Sequence, residues 1–332
     1  MELETGYMEK TFDFDSTDDD LIKSLSGMEF HVIGQGSSAY VLGNAEGGMV
    51  LKIFPPLNVG TADELVFIRR NSVLRYADFL SAKWQNIYLI KWLRRKAKFI
   101  LAVFQSSRNI EKRENSSDMC IRGYERCVKQ GLMEGLPTRV IPNCCDRLSI
   151  KTSRVLRNYL VQPEKIVMQK RFNHDEILLY VIRHHAEKND TARCVRLIED
   201  AIQYQLHMWA LGLISTDMSF NIFENLIVLP DGRLQLHDAN DVVDSYSPAM
   251  WFIREKEKDL NEIFSGLDKG NYPGLLFRTS HSSISETARK LYNVLPDDIR
   301  DELVINFLNH SRQILSEDVF KQHWKGKSQT DC

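Results

Sequence analysis

The alternation of apolar and polar positions predicts strands after residue 27. Met28–Ile33 alternates the two kinds of side chain, Tyr40–Leu42 follows a glycine turn, and Met49–Phe54 follows a second turn at Gly47-Gly48. Together they predict a three-stranded meander that ends at Pro55-Pro56. From Asp63 to Phe104 the pattern reads as helical, with Leu65, Ile68, Leu74, Phe79, Leu80, Trp84, Tyr88 and Trp92 as its apolar positions, the last four of them at four-residue steps. Residues 106–118 read as a loop, and a second helix is expected from about 119 to 133, closed by Gly135 and Pro137. Lys165–Gln169 is a predicted strand, and Asp175 begins a helical segment. Over 191–211, Val195, Ile198, Ile202, Leu206 and Trp209 line one face of a predicted long amphipathic helix that stops at Gly212. Two short predicted strands, 226–229 and 233–236, flank the turn Pro230-Asp231-Gly232, and the stretch from about Ser247 to Trp324 reads mostly as helices.

Composition limits the classes this pattern can belong to. The chain has 332 residues, 43% of them apolar and 27% charged, which suits one large two-lobed domain or two small ones. Its net charge of -2 conceals a polarity: Glu2, Glu4, Glu9, Asp13, Asp15, Asp18, Asp19 and Asp20 stand against Lys10 at the start, whereas 69–113 is strongly basic. Residues 1–27 are therefore expected to be an acidic tail or lead-in. Six cysteines show neither a CxxC pair nor zinc-finger spacing to histidine, so reduced thiols are expected. The acidic start does not resemble a secretory signal, and no apolar run is long enough to span a bilayer. The expectation is a soluble or peripheral cytoplasmic protein.

Candidate chemistry concentrates in two places. Ile33-Gly34-Gln35-Gly36-Ser37-Ser38-Ala39-Tyr40-Val41 is a glycine turn between strands, where backbone N–H groups can approach phosphates. Lys52 then stands as a lone charge within the apolar Val50–Phe54, a position that calls for a partner or a ligand. Further on, Asp217, Asn221 and Asn225 precede the predicted hairpin, and Asp238 follows it. A hairpin with an amide oxygen before its first strand and a carboxylate after its second brings both to one end, where they can share a Mg²⁺.

In that order these segments resemble the protein-kinase-like superfamily, most closely the bacterial lipopolysaccharide-core (heptose/Kdo) and aminoglycoside-type small-molecule kinases. The resemblance covers roughly residues 28–265 and is strongest over 205–240. It implies an α+β, two-lobed kinase-like fold, with an N-lobe over 28–170, a basic helical insertion at about 63–113, and a helical C-lobe over 171–332. It further implies ATP and Mg²⁺ as cofactors. Gly34, Gly36, Ser37, Lys52, Glu125 and Met168 would contact the nucleotide, Asn225 and Asp238 would bind metal, and Asp217 would orient or deprotonate the acceptor hydroxyl. Glu125 would be the partner of Lys52, with Glu64 and Glu114 as rivals, and Asp259 would buttress the catalytic loop. The Asn225-to-Asp238 interval equals the family spacing. The step from Asp217 to Asn225 is three residues longer than in the family, so either the loop carries an insertion or Asn221 takes part of Asn225's role. Ala239-Asn240 stands where protein kinases have Phe-Gly, and no Ala-Pro-Glu element follows.

Residues 84–104 hold five basic side chains, two tryptophans and no acid. Such a segment suits a membrane interface, or a helix packed on the small lobe with its cations in water. A phosphate-rich glycolipid or a nucleic acid would be held by the same charges; nucleic acid is not expected. The expected function is phosphorylation of a hydroxyl on a small molecule, glycan or glycolipid, with peripheral contact at the inner membrane face. A pseudokinase serving as a binding or regulatory module is the alternative, and an atypical protein kinase the second.

Overall fold

A computed structural model of the chain describes residues 13–26, 28–35, 39–44, 48–54, 58–61, 64–67, 120–142, 144, 150–154, 157–163, 165–215, 218–239, 242–270 and 283–326. The chain divides into two compact units, one made of Met1–Ile121 and Pro137–Arg171, the other of Arg122–Leu136 and Phe172–Cys332. The first is built on a sheet and the second is mostly helical, so the fold is mixed α+β. No described helix is long and apolar enough to cross a membrane.

In the first unit, helix α1 (Asp18–Ser26) precedes nine strands: β1 (Glu29–Gln35), β2 (Tyr40–Asn44), β3 (Met49–Ile53), β4 (Asn58–Thr61), β5 (Glu64–Phe67), β6 (Thr138–Ile141), β7 (Ile150–Arg154), β8 (Arg157–Gln162) and β9 (Ile166–Lys170). They form one sheet in the order β5-β4-β8-β7-β1-β2-β3-β9-β6. The β1–β7 pair is parallel, and the five strands β1-β2-β3-β9-β6 are mutually antiparallel. Every residue of β3 is buried, which is why its sequence is almost continuously apolar rather than alternating. A helix was the sequence-based expectation from Asp63 onward, yet Glu64–Phe67 pair with β4. Three consecutive apolar residues, Leu65 to Phe67, fit either period, and backbone pairing decides between them.

The acidic lead-in also differs from expectation, because α1 is a packed element. Its three leading aspartates sit at the positive end of the helix dipole, and Thr17 Oγ1 accepts a hydrogen bond from the Asp20 N–H at 3.2 Å. Leu21, Ile22 and Leu25 fall on one face and join Phe30, Leu42, Met49, Leu51, Ile53, Ile166 and Met168 in the core of this unit. Arg139 of β6 anchors the chain entering the helix: it donates to the Phe14 carbonyl at 2.8 Å and to the Ser16 carbonyl, and pairs with Asp18 at 2.7 Å.

Helix α2 over residues 120–129 lies mostly in the second unit, which continues, after β9, through α3 (Leu178–Glu187) and α4 (Thr191–Ala210). Asp190 caps α4 by accepting from Arg193 N–H, and Gly212 ends it in the left-handed region at φ 69°. Then come β10 (Ile214–Ser215), α5 (Met218–Asn225), β11 (Leu226–Val228), β12 (Leu234–Leu236) and β13 (Val242–Val243). Among the described residues there follow α6 (Tyr246–Asp268), α7 (Ser283–Val294), α8 (Arg300–Ile314) and α9 (Glu317–His323). Trp209 of α4, fully buried, meets Phe320 of α9 edge-on at 5.2 Å, and Phe223 of α5 meets Phe307 of α8 at 5.2 Å.

Candidate functional site

Within the first unit, strand register assembles the residues around the lysine. Gly34 pairs with Val41, Val41 with Lys52, Lys52 with Val167, and Val167 with Val140. Residues directly opposite in antiparallel strands share a face, so these five form one row across β1, β2, β3, β9 and β6. Lys52 is 7% exposed and stands in that row between two valines. An ammonium flanked by apolar side chains on a rigid sheet is suited to meet an anionic ligand while the valines face its apolar part.

Met168 falls elsewhere. It pairs with Leu51, one step out of phase with Lys52, and lies fully buried in the core beneath α1. Met168, expected to contact a nucleotide, therefore faces the core, and it is its neighbour Val167 that shares the face of Lys52. Because side chains alternate with a period of two, a difference of one position exchanges core for site. Val41 and Val167 were not singled out in the sequence, since only the pairing aligns them with Lys52. Gly36 and Ser37 lie outside the described residues, as do 84–104, Asp217 and Glu114.

In the second unit, two short ladders bracket the acidic and amide residues. Leu226 pairs with Leu236 in the β11–β12 hairpin, and the His237 N–H donates to the Asn225 carbonyl at 3.0 Å. Asn225 and Asp238 therefore sit at the same end of that hairpin. The second ladder pairs Ser215 with Val242 and Ile214 with Val243, so the chain beyond Asp238 returns beside the chain that leads to Asp217. The stretch between Asp217 and Asn225, expected to be a loop, is helix α5. Asn221 lies one turn before Asn225 in this helix, while Asn225 itself is buried at the helix end.

Supporting contacts hold α5 and the hairpin in place. Glu224 forms an ion pair with Lys290 of α7, and Phe223 is buried against α8. A His237 ring nitrogen, Nε2, lies 2.6 Å from the Glu224 carbonyl oxygen, and the imidazole packs against Phe172 at 4.6 Å. His237 thus joins the last residues of α5 to the strand before Asp238. Buried Gln235 accepts from the Gly135 N–H at 3.0 Å and donates to the Leu132 carbonyl, tying the turn after α2 to β12.

Helix α2 presents Glu125 to solvent, whereas the adjacent Tyr124 is fully buried and donates its hydroxyl to Asp238 Oδ1 at 2.6 Å. Asp259 lies on α6, where burial raises its carboxyl pKa against the lowering effect of Lys256. The described cysteines 120, 127, 144 and 194 are free thiols in the interior; burial pushes Cys127 up to about 12 and Cys194 up to about 11. Neither has the low-pKa surroundings of a reactive cysteine. A groove of about 660 Å³ runs along α6 past Arg254, Lys258, Asn261 and Glu262, and contains none of the residues named as candidates.

Among the described residues no three His, Cys, Asp or Glu side chains converge as a metal cage. What the hairpin end offers is one amide oxygen and one carboxylate. Hard oxygen donors in that small number suit Mg²⁺, which keeps waters and shares phosphate oxygens, better than a zinc or calcium cage. No protein-family model matches the chain, and no curated protein is significantly similar to it.

Proposed function

We propose that this protein is an ATP- and Mg²⁺-dependent phosphotransferase of two-lobed, protein-kinase-like fold that acts on a hydroxyl group of a small molecule, glycan or glycolipid. The observation that supports the reading is the register of the β11–β12 hairpin, by which Asn225 and Asp238 fall at the same end, where an amide oxygen and a carboxylate would hold the metal. In the other unit, buried Lys52 between Val41 and Val167 supplies the cation and apolar strip that nucleotide binding needs.

Asn225 and Asp238 would hold the metal, and Lys52 with the Gly34–Gly36 backbone would hold phosphates. Asp217 would orient the acceptor hydroxyl and take its proton as its oxygen bonds to the γ-phosphorus of ATP and the bond from that phosphorus to the β–γ bridging oxygen breaks, releasing ADP. The metal, when bound, neutralises phosphate charge. The rest of the catalysis is positioning. Residues 84–104 would bring the protein to a glycolipid acceptor at a membrane surface.

The test is the melting temperature with and without ATP and Mg²⁺, in wild type and Asp238→Ala. Ligand at a hundredfold excess over Kd stabilises the folded state by about 2.7 kcal/mol. A metal-dependent rise that disappears in the variant is expected, followed by phosphate transfer to a sugar or lipid hydroxyl. No rise at millimolar nucleotide would sink the assignment. A pseudokinase is the second reading, favoured by the helical form of 218–225 and by Ala239 after Asp238. It predicts the same rise with no transfer to any acceptor.

A further inference from the structure

Gly123, Tyr124 and Arg126 join α2 to the chain around Asp238. Tyr124, 0% exposed, donates its hydroxyl to Asp238 Oδ1 at 2.6 Å. Gly123 faces the Ala239 carbonyl so closely that a Cβ there would lie 2.2 Å from the oxygen. Arg126 donates through Nη1 to the Val242 carbonyl at 2.8 Å and pairs through Nη2 with Asp244 at 2.9 Å. The helix thereby grips the Asp238 side chain and the backbone on its C-terminal side, while the hairpin fixes the backbone before it.

We propose that Tyr124 is the positioning residue for Asp238, setting the orientation in which its carboxylate receives the metal of a metal–nucleotide complex. This rests on the reading of Asp238 as a metal ligand. A phenol has a single proton to donate, and in Tyr124 it is directed to one oxygen of one carboxylate. A hydrogen bond of 2.6 Å from a ring locked in the interior restricts the rotation of that carboxylate about its own bonds. Outer partners of this kind typically contribute ten- to a hundredfold in metal affinity without touching the metal. Glu125, next along α2, is exposed and has no such hold on Asp238.

The experiment uses the full chain and Mn²⁺ as the probe, its binding followed by electron paramagnetic resonance at fixed ATP, with metal-free ATP affinity measured alongside. Tyr124→Phe keeps the buried ring and removes only the hydroxyl. It should weaken Mn²⁺ binding to the ATP complex roughly tenfold or more, leave metal-free ATP affinity within about twofold, and thus separate orientation of the ligand from general damage to the fold. Unchanged Mn²⁺ affinity in Tyr124→Phe, with binding lost in Asp238→Ala, overturns the inference and leaves the phosphotransferase reading standing. Absence of any ATP-dependent Mn²⁺ binding in wild type removes both. Should Tyr124→Phe not fold, 3-fluorotyrosine at position 124 retains the hydroxyl. Its fluorine resonance should move when Mg²⁺ and ATP are added, and an unmoved resonance with nucleotide bound overturns the proposal.

Discussion

Gly123 and Ala239 are in backbone contact: a methyl group at position 123 would come within 2.2 Å of the Ala239 carbonyl oxygen. In an exposed helix, Gly→Ala gains roughly 1 kcal/mol. Here the methyl has no room and its neighbour is main chain rather than a flexible side chain. Overpacking of this kind costs roughly 1–3 kcal/mol, so the two effects oppose each other and the clash wins.

Gly123→Ala should therefore destabilise the protein by up to about 2 kcal/mol and impair metal-dependent ATP binding, since the atom displaced adjoins Asp238. Urea denaturation would read the first effect and calorimetric titration the second. Glu125→Ala, on the exposed side of the same helix, should stay within about 0.5 kcal/mol of wild type. Equal stability of Gly123→Ala and wild type would show that α2 can move away from this contact without cost.

The packing of α1 yields a second prediction, in which two effects can be ranked. Leu25 is fully buried in the core of the first unit, so Leu25→Ala should cost about 2–5 kcal/mol. The Arg139–Asp18 pair is half-exposed on both sides, and Asp18→Asn should cost no more than about 1 kcal/mol. Denaturant titration of the two variants would test the order. A larger loss for Asp18→Asn would mean that α1 is held by its charges rather than its leucines.

Lys256 supplies the pH prediction. It is buried on α6, with its ammonium 4.6 Å from the Phe252 ring centre, and burial pushes its pKa down to about 8 from 10.5 against the opposing effect of Asp259 and Glu255. Between those two values the unfolded chain binds more protons than the native state, so this group's contribution to stability rises with pH from about 8 to 10.5. Below that window both states are protonated and the cost of burying the charge is fully present. Melting curves at pH 7 and pH 10 should show wild type gaining on Lys256→Met, with the variant the more stable at pH 7. A variant that melts well below wild type at pH 7 would contradict this.

The elements that could be read along the chain are those whose signal is local. The apolar stripe of α4 ends at Gly212, and the β11–β12 hairpin is marked by Pro230-Asp231-Gly232; each is specified by residues a few positions apart. The placement of Asn225 and Asp238 at one end of the hairpin followed for the same reason. Helix α1 escaped because its three aspartates match its three buried apolar residues in number, and composition does not register that an acidic first turn favours a helix. Helix α5 escaped because its eight residues are too few to establish a period, and its burial against α7 and α8 is tertiary.

By itself the sequence determined which side chains are chemically eligible: the lone Lys52 in an apolar strand, the amide and carboxylate at the ends of a hairpin, the glycines of a turn. Only the tertiary structure decided which neighbours they have. Lys52 aligns with Val167 rather than Met168 because β9 pairs with β3 in one register, and the alternation of side chains makes adjacent residues face opposite ways. Tyr124 reaches Asp238 across 114 positions of chain because α2 packs on that segment through a glycine. A contact between distant positions depends on how separate elements dock, and no pattern within either segment encodes it.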